Sequence, residues 1–113
     1  MSADKIKLRV PDGVAQHRIK NQIEKAKAML DISIETEAHY NMAKASNNNW
    51  MKNTKCLLLD FFNDASIAEQ FPVFLWSDAY NPEDFYESCN DSKEAITKAI
   101  QYLENLLSNL ENN

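Results

Sequence analysis

The scarcity of glycine constrains the fold of this chain more than any other feature. Gly13 is the single glycine among 113 residues, and three prolines accompany it. Sandwiches, barrels and α/β folds need glycine at turns with positive φ and in loops that approach phosphates. Helices and short helix connections do not have this need. The composition therefore predicts an all-α fold, and we expect a compact bundle of about four helices.

The chain has the length of one domain. We expect an N-terminal arm over residues 1–13 and a helical bundle over residues 14–113. Within the arm, "KIKLRV" alternates basic and apolar side chains as a half-buried strand does, and "PDG" is typical of a turn. Such a strand either pairs with an edge of another chain or lies over the bundle as an ordered or frayed tail. The tail is favoured, because terminal segments are commonly mobile.

Helical periodicity begins at Val14, where apolar residues start to recur every three or four positions. Ser33 is the predicted N-cap of the second helix, and three consecutive asparagines invite a break in that helix near Ser46. Asp91 or Ser92 could interrupt the last helix in the same way. The pattern predicts helices over residues 14–31, 34–63, 66–71 and 82–111, with Ser66 capping the third and Asn81 the fourth.

The apolar stripes of these helices predict the core. A seam of apolar residues spaced by four and three makes the last helix the clearest of the set. Cys56 and Cys89 also lie on apolar stripes, so we expect both to be reduced, small core residues. The predicted core comprises Ile19, Ile23, Leu30, Trp50, Leu57, Leu58, Phe61, Phe71, Ile96, Ile100, Leu103 and Leu107.

The connection "VFLWSDAYNP", residues 73–82, is too apolar for an ordinary solvent loop. Its first four side chains, residues 73–76, must be covered by something. We expect the connection to cross one end of the bundle as a plug. The alternative is that it forms a hydrophobic patch that binds a partner.

Charge is divided unevenly along the chain. Residues 1–55 contain 10 basic and 6 acidic side chains, whereas residues 56–113 contain 2 and 11, which gives net charges of +4 and −9. The two halves should attract each other, and we expect a folded-back chain to place them side by side as solvated, weakly paired surfaces. The acidic stretch 78–94 is alternatively a dock for a basic partner. Combined with the apolar connection, the candidate partner-binding residues are Phe74, Leu75, Trp76, Asp84, Glu87 and Asp91.

The sequence carries none of the usual patterns of catalytic or metal-binding residues. Neither His17 nor His39 has a glutamate three positions before it, as a di-metal carboxylate bundle requires, and both cysteines are isolated. The single glycine, Gly13, lies in the N-terminal arm, so the sequence has no glycine-rich phosphate-binding loop. We therefore expect no catalytic, cofactor-binding or metal-binding residues, no cofactor and no enzyme activity.

The composition also predicts where the protein is located and which kinds of partner it does not bind. No stretch approaches the roughly 20 apolar residues that span a bilayer, and the N-terminus lacks the hydrophobic segment of a signal peptide. We expect a cytoplasmic protein that does not bind membranes. Nucleic-acid binding is not expected either, because the net charge is −5 and the basic residues of the first helix are spread around it.

Part of the chain resembles a known kind of module. The residues that carry the resemblance are "IEKAKAML", then Trp50, Thr54, Leu58, Phe62, Ser66 and Phe71, then "AITKAIQYLENLLSNLE". Together they are similar to the small helical module at the N-terminus of bacterial defence-type proteins, which precedes Toll/interleukin-receptor-like or other nucleotide-binding effector domains. Asn63 stands where that pattern usually has glycine. The resemblance implies packing, self-association or partner sensing, with catalysis housed elsewhere.

Two classes of function remain in view. The first is a non-enzymatic protein-interaction or self-association module, regulatory and linked to bacterial defence, whose partner is another protein or a second copy of the chain. The second is a small acidic inhibitor, encoded by a phage or mobile element, that binds a basic surface of a host nucleic-acid enzyme. The second class needs carboxylates spread over one continuous face.

Overall fold

The structure is a computed structural model, and it describes residues 7–31, 35–75 and 85–111, with the side chains of residues 85–90 outside the description. Four helices lie within these ranges, and they confirm the predicted all-α bundle. They are α1 (Asp12–Leu30), α2 (Glu37–Phe61), α3 (Ser66–Glu69) and α4 (Phe85–Glu111).

Helix α1 begins earlier than the periodicity indicated. Pro11 is its N-cap, with φ −56° and ψ 144°, and the Pro11 carbonyl accepts hydrogen bonds from the backbone N–H groups of Val14 and Ala15. The prediction of a turn at "PDG" is therefore wrong. Asp12 and Gly13 form the first turn of the helix, where a carboxylate interacts favourably with the positive end of the helix dipole.

Residues 7–9 of the arm pair with the end of α2. Leu8 forms an isolated antiparallel bridge with Phe62. The N–H of Arg9 donates to the carbonyl of Phe61 at 2.8 Å, and the N–H of Asn63 donates to the carbonyl of Lys7 at 3.1 Å. This short stretch of the arm is thus strand-like and finds its partner within its own chain.

Helix α2 differs from its prediction at its start and middle. Its N-cap is Thr36, whose side chain accepts a hydrogen bond from the N–H of His39 at 3.1 Å. The predicted cap, Ser33, precedes this cap by three residues and lies outside the described residues. The sequence left a break near Ser46 open, and none occurs, because α2 continues through the asparagines and places Asn47 on its buried face.

The N-terminus of the short helix α3 is capped by a side chain that precedes the helix. Ser66 is its first residue rather than its cap, and the carboxylate of Asp64 accepts a hydrogen bond from the Ser66 N–H at 2.9 Å. Hydrogen bonds from the Ser66 side chain and backbone lower the pKa of Asp64. The helix ends at Glu69, short of the predicted end at residue 71.

Helix α4 runs from residue 85 without the interruption that Asp91 or Ser92 could have introduced. Ser92 is buried within the continuous helix, so it does not cap a new one. The predicted cap Asn81 lies outside the described residues.

The core confirms most of the predicted positions. Leu30, Leu57, Phe61 and Leu107 are only partly buried and pack against its edge. The prediction omitted several residues that are fully inside, among them Met51 and Phe62. The predicted residues found buried are Ile19, Ile23, Trp50, Leu58, Phe71, Ile96, Ile100 and Leu103.

Helix α1 packs against both α2 and α4, and α3 packs against α2. Trp50 donates its indole N–H to the carbonyl of Gln22 at 2.9 Å, and the Gln22 side chain donates to the Thr54 hydroxyl at 2.6 Å. Both bonds are buried and directional, so they define how α1 and α2 are aligned.

An aromatic row links the remaining elements. The ring of Phe71 lies 5.9 Å from that of Trp50 and 5.9 Å from that of Tyr102, with tilted and edge-on geometries. The Tyr102 hydroxyl donates to the main-chain carbonyl of Ile67 in α3. The row therefore connects α2, α3 and α4 across the segment that follows α3.

The prediction that Cys56 is a core residue is wrong. It is exposed rather than buried. The buried face of α2 includes Asn47, Thr54 and Leu58, and residue 56 lies on the opposite side of the helix. The side chain of Cys89 is outside the described residues.

The oppositely charged halves of the chain meet between α1 and α4. Lys20 lies 3.9 Å from Glu111, and Lys27 lies 3.7 Å from Glu104. All four side chains are about half exposed or more, so each pair contributes at most about 1 kcal/mol. This arrangement agrees with the predicted solvated, weakly paired surfaces.

Candidate protein-interaction surface

Three consecutive apolar residues lie exposed after α3, and we call residues 73–75 the apolar segment. The side chains of Val73, Phe74 and Leu75 are 39%, 37% and 46% exposed. The bundle covers these three residues only in part, so they do not form the buried plug that the sequence predicted. Residues 76–84, including Trp76, lie outside the described residues.

The chain passes abruptly from the core to the surface before this segment. Phe71 is buried within the aromatic row, and Pro72 is half-buried. Since the proline ring restricts φ to about −65°, it limits the directions in which the chain can leave Phe71. The start of the apolar segment is thus positioned by packing of the preceding two residues.

Asn47 of α2 holds the segment by its main chain. The Asn47 side chain is 2% exposed. Its Nδ2 donates to the carbonyl of Phe74 at 2.9 Å and to Oδ1 of Asn48 at 3.1 Å. A buried amide bonded to a carbonyl attaches the backbone to the bundle, while the Phe74 side chain remains exposed.

The other oxygen of this amide is unusual. Oδ1 of Asn47 is buried and has no hydrogen-bond partner among the described residues. A buried polar atom without a partner destabilises a fold by about 1–3 kcal/mol. Asn47 therefore carries an energetic disadvantage, and the bond to Phe74 is the evident structural use of the side chain.

The predicted partner-binding residues are only partly described. Phe74 and Leu75 lie together in the exposed segment, and Asp91 is exposed on α4. Trp76 and Asp84 fall outside the described residues, as does the side chain of Glu87. Sequence reasoning missed Asn47, although it stands seven residues before Thr54 and so falls on the same helical face.

The histidines have local structural roles. The backbone N–H of Glu35 donates to Nδ1 of His39 at 3.2 Å, next to the Thr36 cap. Nε2 of His17 pairs with the side-chain amide of Asn21 at 3.3 Å, one turn further along α1. Within the described ranges, no group of three or more histidine, cysteine, aspartate or glutamate side chains could hold a metal ion.

A shallow groove runs between α1 and α4. Ile23 and Leu107 contribute apolar surface to it, and the cross-helix ion pairs of Lys20 and Lys27 line it. Because these lysines already face carboxylates, the groove offers no concentrated charge of either sign. It is a less suitable contact surface than the apolar segment.

Comparison with known proteins gives no family and no relative. No family model matches the chain, and no curated protein or solved structure matches it either. Among the helices that the structure describes, none has the length and apolar character needed to cross a bilayer.

Proposed function

We propose that this chain is a non-enzymatic protein-interaction module and that the apolar segment is its contact surface. The observation that carries the proposal is the exposure of three consecutive apolar side chains on a backbone held by a part-buried hydrogen bond from the buried Asn47. Adjacent exposed apolar residues favour association, because covering them removes apolar surface from water.

The size of the segment indicates the strength of binding. Burial of a whole side chain of this type contributes roughly 1.5–3 kcal/mol, and these three are already more than half covered. The segment alone therefore supplies only a few kcal/mol. We infer a transient contact, in which the acidic residues Asp84, Glu87 and Asp91 favour a partner with a basic surface.

A regulatory role linked to bacterial defence is part of this proposal. Its support is the resemblance of the helical pattern to modules that precede effector domains. In such an arrangement the chain senses or recruits a protein, and any reaction is carried out by that protein. The same surface serves either a separate partner or a second copy of the chain.

The alternative, an acidic inhibitor of a nucleic-acid enzyme, has less support. It requires carboxylates that are free to face a basic surface. Glu104 and Glu111 of α4 instead lie within ion-pair distance of Lys27 and Lys20 of the same chain. Part of the acidic surface is thus neutralised internally.

A capture experiment tests the proposal. The chain is immobilised and exposed to native extract of its source cells, in wild-type form and as the double variant Phe74→Ser, Leu75→Ser. Val14→Ser is the matched control, because Val14 is 46% exposed, as Leu75 is, but belongs to α1. We expect the wild type and the control to retain the same proteins and the double variant to lose them.

Two results would contradict the proposal. In the first, all three chains capture the same proteins, so the contact lies elsewhere. In the second, the wild type captures nothing above background. Circular dichroism of each variant provides the necessary check that the bundle has remained folded.

A further inference from the structure

A short piece of the N-terminal arm covers the end of α2, and we call residues 7–10 the strap. The N–H of Arg9 donates a hydrogen bond to the carbonyl of Phe61, and the N–H of Asn63 donates to the carbonyl of Lys7. Nε of Arg9 also donates to Oδ1 of Asn63 at 3.0 Å. The strap therefore pairs with the end of α2 as an extended peptide does when it adds to exposed backbone.

The side chains of the strap alternate in character and in direction. Leu8 and Val10 are half-buried and pack against the core, whereas Lys7 and Arg9 are exposed. Phe62, which forms the antiparallel bridge with Leu8, is only 1% exposed. Successive side chains of an extended segment point to opposite sides, so the strap presents its apolar residues inward and its basic residues to solvent.

Charge also matches the strap to the end of α2. The carbonyl groups at the C-terminus of a helix carry partial negative charge. The last turn of α2, all of which the structure describes, contains no basic residue to balance that charge. It contains Asp60 instead, and Asp64 follows soon after, with both carboxylates exposed. Lys7 and Arg9 of the strap bring positive charge to this acidic helix end.

Few interactions hold the strap in place. Among the described residues they are two backbone hydrogen bonds, one bond between exposed side chains and the packing of two half-buried side chains. The conformational entropy of four ordered residues opposes them with a free energy of similar size. We therefore expect the strap to open while the helices stay folded, which makes Phe62 and the carbonyl of Phe61 accessible.

We propose that residues 61–64, which we call the strand site, bind an extended segment of a partner protein in which basic and apolar residues alternate. The strap occupies the strand site as a built-in competitor, and its own contacts show which chemistry the site accepts. Two apolar side chains at alternate positions pack beside Phe62, and the basic residues between them face the acidic helix end. This second contact surface goes beyond the proposed function and does not depend on the apolar segment.

The connection of the strap to α1 favours a separate partner over a second copy of the chain. Only Val10 and Pro11 stand between Arg9 and Asp12, the first residue of α1. A strap that entered the strand site of another copy would bring its α1 and the rest of its bundle against that copy. An extended segment of a different protein has no such restriction.

A peptide titration tests the proposal. The probe is a synthetic peptide with the sequence of residues 5–10, "KIKLRV", blocked at both ends. It is added to the ¹⁵N-labelled full chain while the amide signal of Asn63, whose N–H lies in the strand pairing, is followed. Leu8→Ser weakens the packing of the strap, and Met42→Ser, at a 70% exposed position of α2, is the matched control.

We expect the peptide to bind Leu8→Ser with an apparent Kd at least about fivefold lower than in the wild type or the control, because an occupied site is unavailable. Arg9→Pro is a second way to open the strap, since proline lacks the N–H that donates to Phe61. It should strengthen peptide binding as Leu8→Ser does. Circular dichroism of each variant checks that the helices remain formed.

Two altered peptides test the chemistry of the segment. A peptide with Lys7→Glu and Arg9→Glu should bind at least about fivefold more weakly than the original, because the helix end is negative. A peptide with Leu8→Ser and Val10→Ser should lose binding, because it has no apolar side chains to bury. Equal binding of either altered peptide and the original would contradict the proposed recognition.

Three further results would overturn the proposal. They are an Asn63 signal that does not respond to the peptide in folded Leu8→Ser or Arg9→Pro, equal peptide affinity in the wild type and both variants, and a wild-type dimer that Leu8→Ser abolishes. The last result would make the strap of a second copy the occupant. Phe74→Ser, Leu75→Ser leaves the strand site intact, so its peptide binding should equal that of the wild type even where capture through the apolar segment is lost.

Discussion

The buried side chain of Asn47 donates a hydrogen bond to the main-chain carbonyl of Phe74, 27 residues further along the chain. This bond joins the middle of α2 to the exposed apolar segment. It explains how a hydrophobic stretch that is only partly covered is held in place.

Replacing Asn47 with alanine should release the apolar segment while leaving the helices formed. The Phe74 carbonyl loses its donor, but the unpartnered Oδ1 is removed as well, so we expect a net destabilisation of only about 1 kcal/mol. Limited proteolysis at residues 73–75 should become faster relative to cleavage within α2. A uniform change across the chain would show that Asn47 does not act on the segment specifically. Asn49→Ala, on the exposed side of α2, is the matched control.

The pair formed by Gln22 and Thr54 should show energetic coupling. Each single alanine variant leaves a buried polar group without its partner, which destabilises a fold by about 1–3 kcal/mol. The double variant removes both groups, so its loss in unfolding free energy should be smaller than the sum of the single losses. Denaturant titrations of the four chains measure this difference. Strictly additive losses would mean that the bond contributes nothing to the α1–α2 contact.

Leu103→Ala should lower the free energy of unfolding by about 2–5 kcal/mol, because Leu103 is fully buried in α4. Leu59→Ala serves as the comparison, since Leu59 is exposed on α2. Its effect on the monomer should be within about 0.5 kcal/mol. Thermal or denaturant unfolding at low concentration distinguishes the two. Similar losses for both variants would contradict the assignment of Leu103 and the apolar stripe of α4 to the core.

Alkaline pH should weaken the fold through Tyr102. Burial and the nearby charge of Asp64 raise the pKa of Tyr102 above its ordinary value of 10.0. The folded state therefore favours the neutral phenol, and this contribution is complete below pH 10.0 and is lost as pH rises through the folded pKa. Tyr102→Phe cannot ionise, so its unfolding free energy should fall less steeply above pH 10. Identical alkaline slopes for the two chains would argue against this role.

Regular apolar spacing was sufficient to predict the helices and much of the core. The seam through Ile96, Ile100 and Leu103 is a case in which each residue type agrees with its position. Burial of these side chains dominates local preferences, so the pattern alone identifies the inward face.

Prediction was wrong where residue type and position disagree. Asn47 is polar but buried, and Cys56 is apolar but exposed, so residue type misassigned these two positions of α2. The asparagines lower helix propensity by only a few tenths of a kcal/mol each, which tertiary packing readily exceeds.

The apolar segment illustrates a different limit. Its hydrophobic residues predict burial. The sequence pattern cannot distinguish burial against the same chain from burial against another molecule. Only the geometry around Asn47 and Phe74 shows that the segment is attached through its backbone and presents its side chains outward.

Site-specific photo-crosslinking in the source cells shows whether the apolar segment contacts another protein. A photoreactive residue is placed at Leu75 of the full chain and, in a second chain, at the equally exposed Val14. We expect discrete protein adducts from position 75 that are absent from position 14. The same adducts from both positions, or no protein adduct from position 75, would contradict this expectation.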